Sequence, residues 1–203
     1  MTDDSIRLRV LRGDEEQAAV FDWWAKLSGH GTAWDGQSLD TGWPAGVRAV
    51  LRRARAPDDA LLSEGFRHLW FALPESRRKP WEMTAWGCIA AVLAEVRTHQ
   101  PGIEFAAAMG GEVEKGAGKP RVSELRFSQL QHSNDLNELQ RRMRRMVHLL
   151  DEKVNVLSLA DGILHWQREH AGYVDVAPDR RLPVRWATAY FSELARYQPV
   201  NTN

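Results

Sequence analysis

The sequence predicts an all-α fold, a bundle of about eight or nine helices in two packed lobes. Three observations predict it. Apolar residues recur at steps of three and four along most of the chain, and no stretch alternates convincingly as a strand would. Proline and glycine cut the chain into helix-length pieces. A hydrophobic content of 43% with nine Trp is enough to build a real core.

Taken in order, residues 1–13 read as loose. The first helix runs from about Asp14 to Leu27 with Val20, Trp23, Trp24 and Leu27 as its inner stripe. A loop rich in Gly, Ser and Asp follows to Trp43. Pro44 opens the second helix, where Val47, Val50, Leu51 and Ala54 face inward. Arg48, Arg52 and Arg55 form its outward stripe, with Arg53 on the other flank. After Pro57 a third helix, capped by Asp58, reaches about Leu73 and buries Leu61, Leu62, Phe66, Leu69 and Trp70. The segment from Pro74 to Pro80 is a polar linker. Trp81 to Thr98 is apolar on nearly all sides, as a central core helix is. Ile103 to Met109 forms a short helix.

Gly110 to Gly118 reads as a flexible loop joining an N-terminal lobe, 14–110, to a C-terminal lobe, 119–197. Arg121 to His132 is helical with Val122, Leu125 and Leu130 inside. The strongest helix follows. Leu136, Leu139, Met143, Met146, Val147 and Leu150 share one face, and Asn134 is its expected N-cap. Arg141, Arg142, Arg144 and Arg145 occupy the other side. Arg141 and Arg145 are four apart, and like charges at that spacing repel by about 0.2–0.5 kcal/mol. An external anion would relieve that repulsion; the alternative is a solvated basic face. The next helix spans about Asn155 to His170, with Val156, Leu159, Ile163 and Trp166 inside. The last starts at Pro183 and packs Trp186, Ala187, Tyr190, Phe191 and Leu194.

The 27 basic and 27 acidic residues cancel, so net charge points to no partner. Their distribution does. Residues 1–40 hold eight acids against four bases, 44–56 hold four Arg and no acid, and 121–145 hold six Arg against three acids. Such asymmetry on a neutral chain marks a local footprint for an anion. The start MTDDSIRLRV lacks the basic and apolar regions of a signal peptide, and no run approaches ~18 apolar residues. The chain therefore reads as cytoplasmic, with no membrane contact.

Catalytic chemistry is not legible. The seven His are scattered, without metal-ligand spacing. His148 and His165 sit beside apolar stripes, where His is usually a core or boundary residue. The single cysteine, Cys88, lies in WGCIAAVL, a setting that raises a thiol pKa. GAGKP at 116–120 lacks the hydroxyl residue, first glycine and preceding strand of a phosphate loop. No catalytic residue, metal, cofactor or small-molecule substrate is expected.

The runs RVSELRFSQL, RRMRRMVHLL, VNVLSLADGILHW and RWATAYF, in that order, resemble the CasB family, the small subunit of the type I-E CRISPR surveillance complex Cascade. FDWWAKL, VRAVLRRARAPDDAL and FRHLW match the family's early helices less tightly. The resemblance covers roughly Asp14 to Leu194; the loops Gly29–Gly42 and Ala171–Asp179 match nothing in it.

The resemblance implies an all-α, non-enzymatic protein. Two copies would sit head to tail along the ribonucleoprotein, touch the crRNA-bearing subunits and hold DNA strands of the R-loop on a basic surface. By position, Arg52 and Arg53 match the family's basic pair, and Arg121 and Arg126 the bases of its RxSExRF motif. An internal ion pair of Arg126 with Glu124 or another acid is the alternative. The candidate nucleic-acid contacts are Arg48, Arg52, Arg53, Arg121, Arg126, Arg141, Arg142, Arg144 and Arg145. Six of them, Arg52, Arg53, Arg121, Arg126, Arg141 and Arg145, are expected to line one groove, and Arg168 lies outside these clusters. Trp166 and Trp186, on apolar stripes, are expected in the core and not as base-stacking platforms. The competing reading is a helical protein–protein adaptor that makes no nucleic-acid contact.

Overall fold

The computed structural model describes residues 6–39 and 42–198. Among them are ten α-helices and one two-stranded pair. The fold is all-α, as expected. The helices are α1 (Asp14–Ser28), α2 (Ala45–Arg53), α3 (Pro57–Leu61), α4 (Glu64–Ala72), α5 (Met83–Leu93), α6 (Phe105–Gly110), α7 (Glu124–Gln131), α8 (Leu136–Leu149), α9 (Val156–His170) and α10 (Leu182–Leu194). No helix among the described residues is long and apolar enough to cross a membrane.

Helix α5 is the centre. Ala85 to Leu93 are buried on every side, and α3, α8 and α9 pack round them. Gly87 permits the closest of these approaches, since a Cβ there would stand 2.7 Å from the Pro57 carbonyl of α3. Helix α1 buries Val20, Trp23 and Trp24 against α4 and α9. Trp23 and Trp24 satisfy their indole N–H groups on the Gly65 and Val96 carbonyls, at 2.8 and 3.1 Å. Strands β1 (Thr98–His99) and β2 (Lys153–Val154) pair in parallel. This pair ties the chain after α5 to the chain after α8 and was not visible as alternation. Trp166 and Trp186 are buried as expected, and buried side chains from both halves of the chain form one cluster.

Several local readings are corrected. The expected third helix is two, because Ser63 caps α4 by accepting the Phe66 N–H at 3.1 Å. Helical phase resets there, and Leu62 is left exposed. Helix α7 begins after Val122, so counting helical steps from Val122 to Leu125 fails. Phe127 and Leu130 face inward and Leu125 is exposed. Val50 and Phe191 lie at the edges of their stripes, half exposed. The α8 N-cap is Asp135, one residue after Asn134. Its Oδ1 accepts the Glu138 N–H at 2.7 Å, while Glu138 accepts the Asn134 N–H at 2.9 Å.

The N-terminal segment is not loose from Ile6 onward; the remainder of that reading lies outside the described residues. Val10 and Leu11 are buried, and the Asp161 carboxylate accepts the N–H groups of Arg9, Val10 and Leu11. The expected linker 74–80 also carries structure. Arg77 is nearly buried, with Nε 2.6 Å from Glu16.

Helices α6 and α10 meet at Gly110, where an added Cβ would run into the Tyr190 carbonyl. Tyr190 cannot retreat. Its hydroxyl donates to the Val122 carbonyl at 2.6 Å, and its ring stacks on Phe127 at 4.2 Å between centroids. Gly110→Ala is therefore expected to cost about 2 kcal/mol and to lower Tm by about 4–8 °C in calorimetry. An unchanged melting curve would mean the two backbones are not held this close.

Candidate nucleic-acid interface

The four arginines of α8 point two ways. Arg141 and Arg145 are exposed, and the nearest carboxylate to Arg141 is Glu138 at 3.9 Å. Arg142 instead folds back along α7. It contacts Glu138 at 2.6 Å, Ser133 Oγ at 3.3 Å and the Gln129 carbonyl. Arg144 turns inward, against its expected outward phase. Its guanidinium donates to the carbonyls of Ala54 at 2.6 Å, Leu51 at 2.7 Å and Ala91 at 3.1 Å. These carbonyls lie at the C-terminal ends of α2 and α5, where helices carry unsatisfied acceptors and partial negative charge. Burial lowers the Arg144 pKa from its ordinary value.

Arg48 has a similar fate. It was expected outward, yet its Nε and Nη2 donate to the Ala94 and Val96 carbonyls at 2.8 and 3.1 Å. Burial lowers its pKa as well. Arg52 stays near the surface, with Nε 2.7 Å from Glu95. Glu95 is itself buried and lies 3.6 Å from Arg144 and 3.7 Å from His148. One buried carboxylate thus stands among three basic groups. Arg53 is exposed and makes no ion pair among the described residues.

Arg55, Gln140, Arg141, Arg144, Arg145, His148 and Leu149 line one groove of about 600 Å³ between the end of α2 and α8. No carboxylate lines it among the described residues. Of the six arginines expected in one groove, Arg141 and Arg145 line this one. Arg52 and Arg53 are not in its lining; they stand three and two residues before Arg55, at the end of α2. Arg121 lies elsewhere, 2.9 Å from Asp151, and lines a smaller cavity with Leu150 and Lys153. Arg126, on α7, is half-buried; the alternative pair with Glu124 is not made, and it has no other ion pair among the described residues. The sequence reading left Arg55 and His148 out of the site. The signal for both is spacing: Arg55 lies three residues beyond Arg52, and His148 lies one turn beyond Arg144 and three residues beyond Arg145 on α8.

The groove can take a polyanion without first breaking an ion pair of Arg145, and its floor is fixed by Arg144. Cys88 is buried, and burial pushes its thiol up to about 12, so it presents no nucleophile. Among the described residues no group of three or more His, Cys, Asp or Glu is placed to hold a metal ion.

No curated protein matches the chain. It is similar to the crystal structure of a Cse2-family CRISPR-associated protein from Thermus thermophilus, with 24% identity, 88% of this chain and 98% of that chain covered, and a TM-score of 0.57. That likeness supports the fold. Residues 47–191, more than two thirds of the chain, match the family model of CRISPR-associated protein Cse2. Cse2 is the CasB small subunit expected from the sequence, a structural Cascade subunit and not a known enzyme family. On that match the chain belongs to the Cse2 family, the small subunits of the type I-E CRISPR Cascade complex.

Proposed function

We propose that this subunit is non-catalytic and holds the nucleic-acid backbone on the α8 groove, stabilising R-loop DNA strands while the complex recognises its target. The observation that carries the reading is a groove lined by Arg55, Arg141, Arg144, Arg145 and His148 with no carboxylate in its lining. Arginine suits the task because its planar fork grips phosphate in a bidentate manner. The groove pairs cationic heads with an apolar lining that includes Leu149, a grip on backbone that fits a complex in which base pairing supplies the sequence specificity. Its partners in this reading are R-loop DNA, the crRNA-containing subunits and a second copy of the chain, working inside the cell. Arg48, Arg142 and Arg144 act beneath this surface as supports. Arg52 and Arg53 extend it, while Arg121 and Arg126 belong to a separate face.

The test is an anisotropy titration with duplex and R-loop-like DNA across salt concentrations. Arg141→Ala with Arg145→Ala is expected to weaken binding alike for all sequences. The double variant should also reduce the log K versus log [salt] slope by about 1.8 on duplex. Its melting temperature should be nearly unchanged, because both side chains are exposed. Unchanged affinity and slope, with lost assembly onto the other subunits, would favour the protein–protein adaptor instead.

A further inference from the structure

A second concavity lies away from the α8 groove. It has a volume of about 950 Å³ and is lined by Arg7, Arg9, Arg12, Arg180 and Arg185, with Trp34 on one wall. Two carboxylates, Asp14 and Asp179, share the lining. Arg9 is spent on Asp175. Arg185 donates to the Arg7 carbonyl at 2.6 Å and approaches Asp161 at 3.9 Å. Arg7, Arg12 and Arg180 are exposed and make no ion pair among the described residues; Arg12 reaches only the Arg9 carbonyl, at 2.9 Å.

A basic segment outside regular structure ordinarily loses conformational freedom on binding a polyanion, which subtracts from affinity. Here that ordering is already done. Asp161 is 3% exposed, and its carboxylate takes the N–H groups of Arg9, Val10 and Leu11 at 2.9, 2.6 and 2.9 Å. The backbone is fixed between Arg7 and Arg12, so their side chains leave from set points. Trp34 is half-buried and held edge-on by Phe21 at 5.5 Å, which leaves part of a braced aromatic surface at the groove. Arg7, Arg9, Arg12 and Trp34 all lie outside the residues matched to the family, 47–191, so this wall is supplied by the chain's own N-terminal part.

We infer that this groove is a second nucleic-acid site, one that takes a single strand. Arg7, Arg12 and Arg180 engage phosphates, and a base lies against Trp34. Forked guanidinium donors beside an aromatic surface are the chemistry of single-strand binding, in which stacking supplements charge. The site shares no residue with the α8 groove, so the two stand or fall separately.

The test uses the full chain and a fluorescein-labelled oligothymidylate of about 20 nucleotides, long enough to pass through one such site. The Arg7→Ala, Arg12→Ala, Arg180→Ala variant is expected to bind it at least about tenfold more weakly. Its salt slope should be smaller by about 2, at an unchanged melting temperature. A bromouracil-substituted strand should photo-crosslink to Trp34. Wild-type affinity and slope in this variant would overturn the inference. If the Arg141, Arg145 variant still loses duplex binding, the proposed function survives that failure. Loss of single-strand binding in the Arg7 set, with wild-type duplex binding in the Arg141, Arg145 variant, would instead leave this site and remove the other. Binding of polyglutamate as tightly as the oligonucleotide, with no crosslink, would also overturn the inference, in favour of an acidic protein partner.

Discussion

Arg144→Leu is expected to cost about 3 kcal/mol and to lower Tm by about 6–12 °C. The argument is local. One guanidinium satisfies the carbonyls of Leu51, Ala54 and Ala91 and lies 3.6 Å from the buried Glu95. Leucine fills part of the volume and supplies no donor. The Leu51 and Ala91 carbonyls then lose their guanidinium donor, Ala54 keeps only the Gln140 amide, and Glu95 loses a neighbour inside the fold. Arg144→Lys keeps the charge but cannot reach three carbonyls at once, so it should fall between leucine and the wild type. Arg145→Leu, one residue further on an exposed side chain, should move stability by less than about 0.5 kcal/mol. Chemical denaturation of the three variants checks this. Equal loss at positions 144 and 145 would show that Arg144 is an ordinary surface charge.

Asp161→Ala carries the other large effect, about 3 kcal/mol of stability. The carboxylate is buried in α9 and holds the N–H groups of Arg9, Val10 and Leu11. Alanine leaves those donors without a partner, and its better helix propensity returns only about 0.7 kcal/mol or less. Two readouts are expected together. Tm falls, and trypsin cuts after Arg7, Arg9 or Arg12 far sooner than in the wild type. Asp161→Asn keeps one acceptor oxygen and should show both effects in milder form. Unchanged proteolysis of residues 6–12 in the alanine variant would mean that the buried Val10 and Leu11 side chains hold the segment alone.

The helices were legible because their inner stripes are made of apolar residues, and burial of those stripes organises the fold. The phase of a helix was less legible where its start was misplaced, as with Leu125 on α7 and Leu62 before α4. The polar interior was the least legible. Arg144 and Arg145 are neighbours of the same type, and nothing in the sequence separates them. What separates them is the set of carbonyls that α2 and α5 bring to one side of α8. Gln140, one turn before Arg144, is also buried and donates to the Ala54 carbonyl at 3.1 Å, so an inward polar row runs beside the apolar stripe. Arg168 read as a charge outside the clusters, yet its Nε lies 3.1 Å from the fully buried Glu82. Asp161 did leave a sign: a lone acid among Leu159, Ala160, Ile163 and Leu164. Its purpose was hidden because its partners are backbone groups near the other end of the chain.

That distance has a consequence during synthesis. Arg9 and Asp161 are 152 residues apart, so the clamp cannot close until α9 has been translated. At about 5–20 residues per second, the first arginines wait roughly 8–30 s after they are made. Until then Asp161 cannot hold them. A product that stops short of α9 never fixes them at all, so the ordered arginine segment marks a chain whose translation has passed α9.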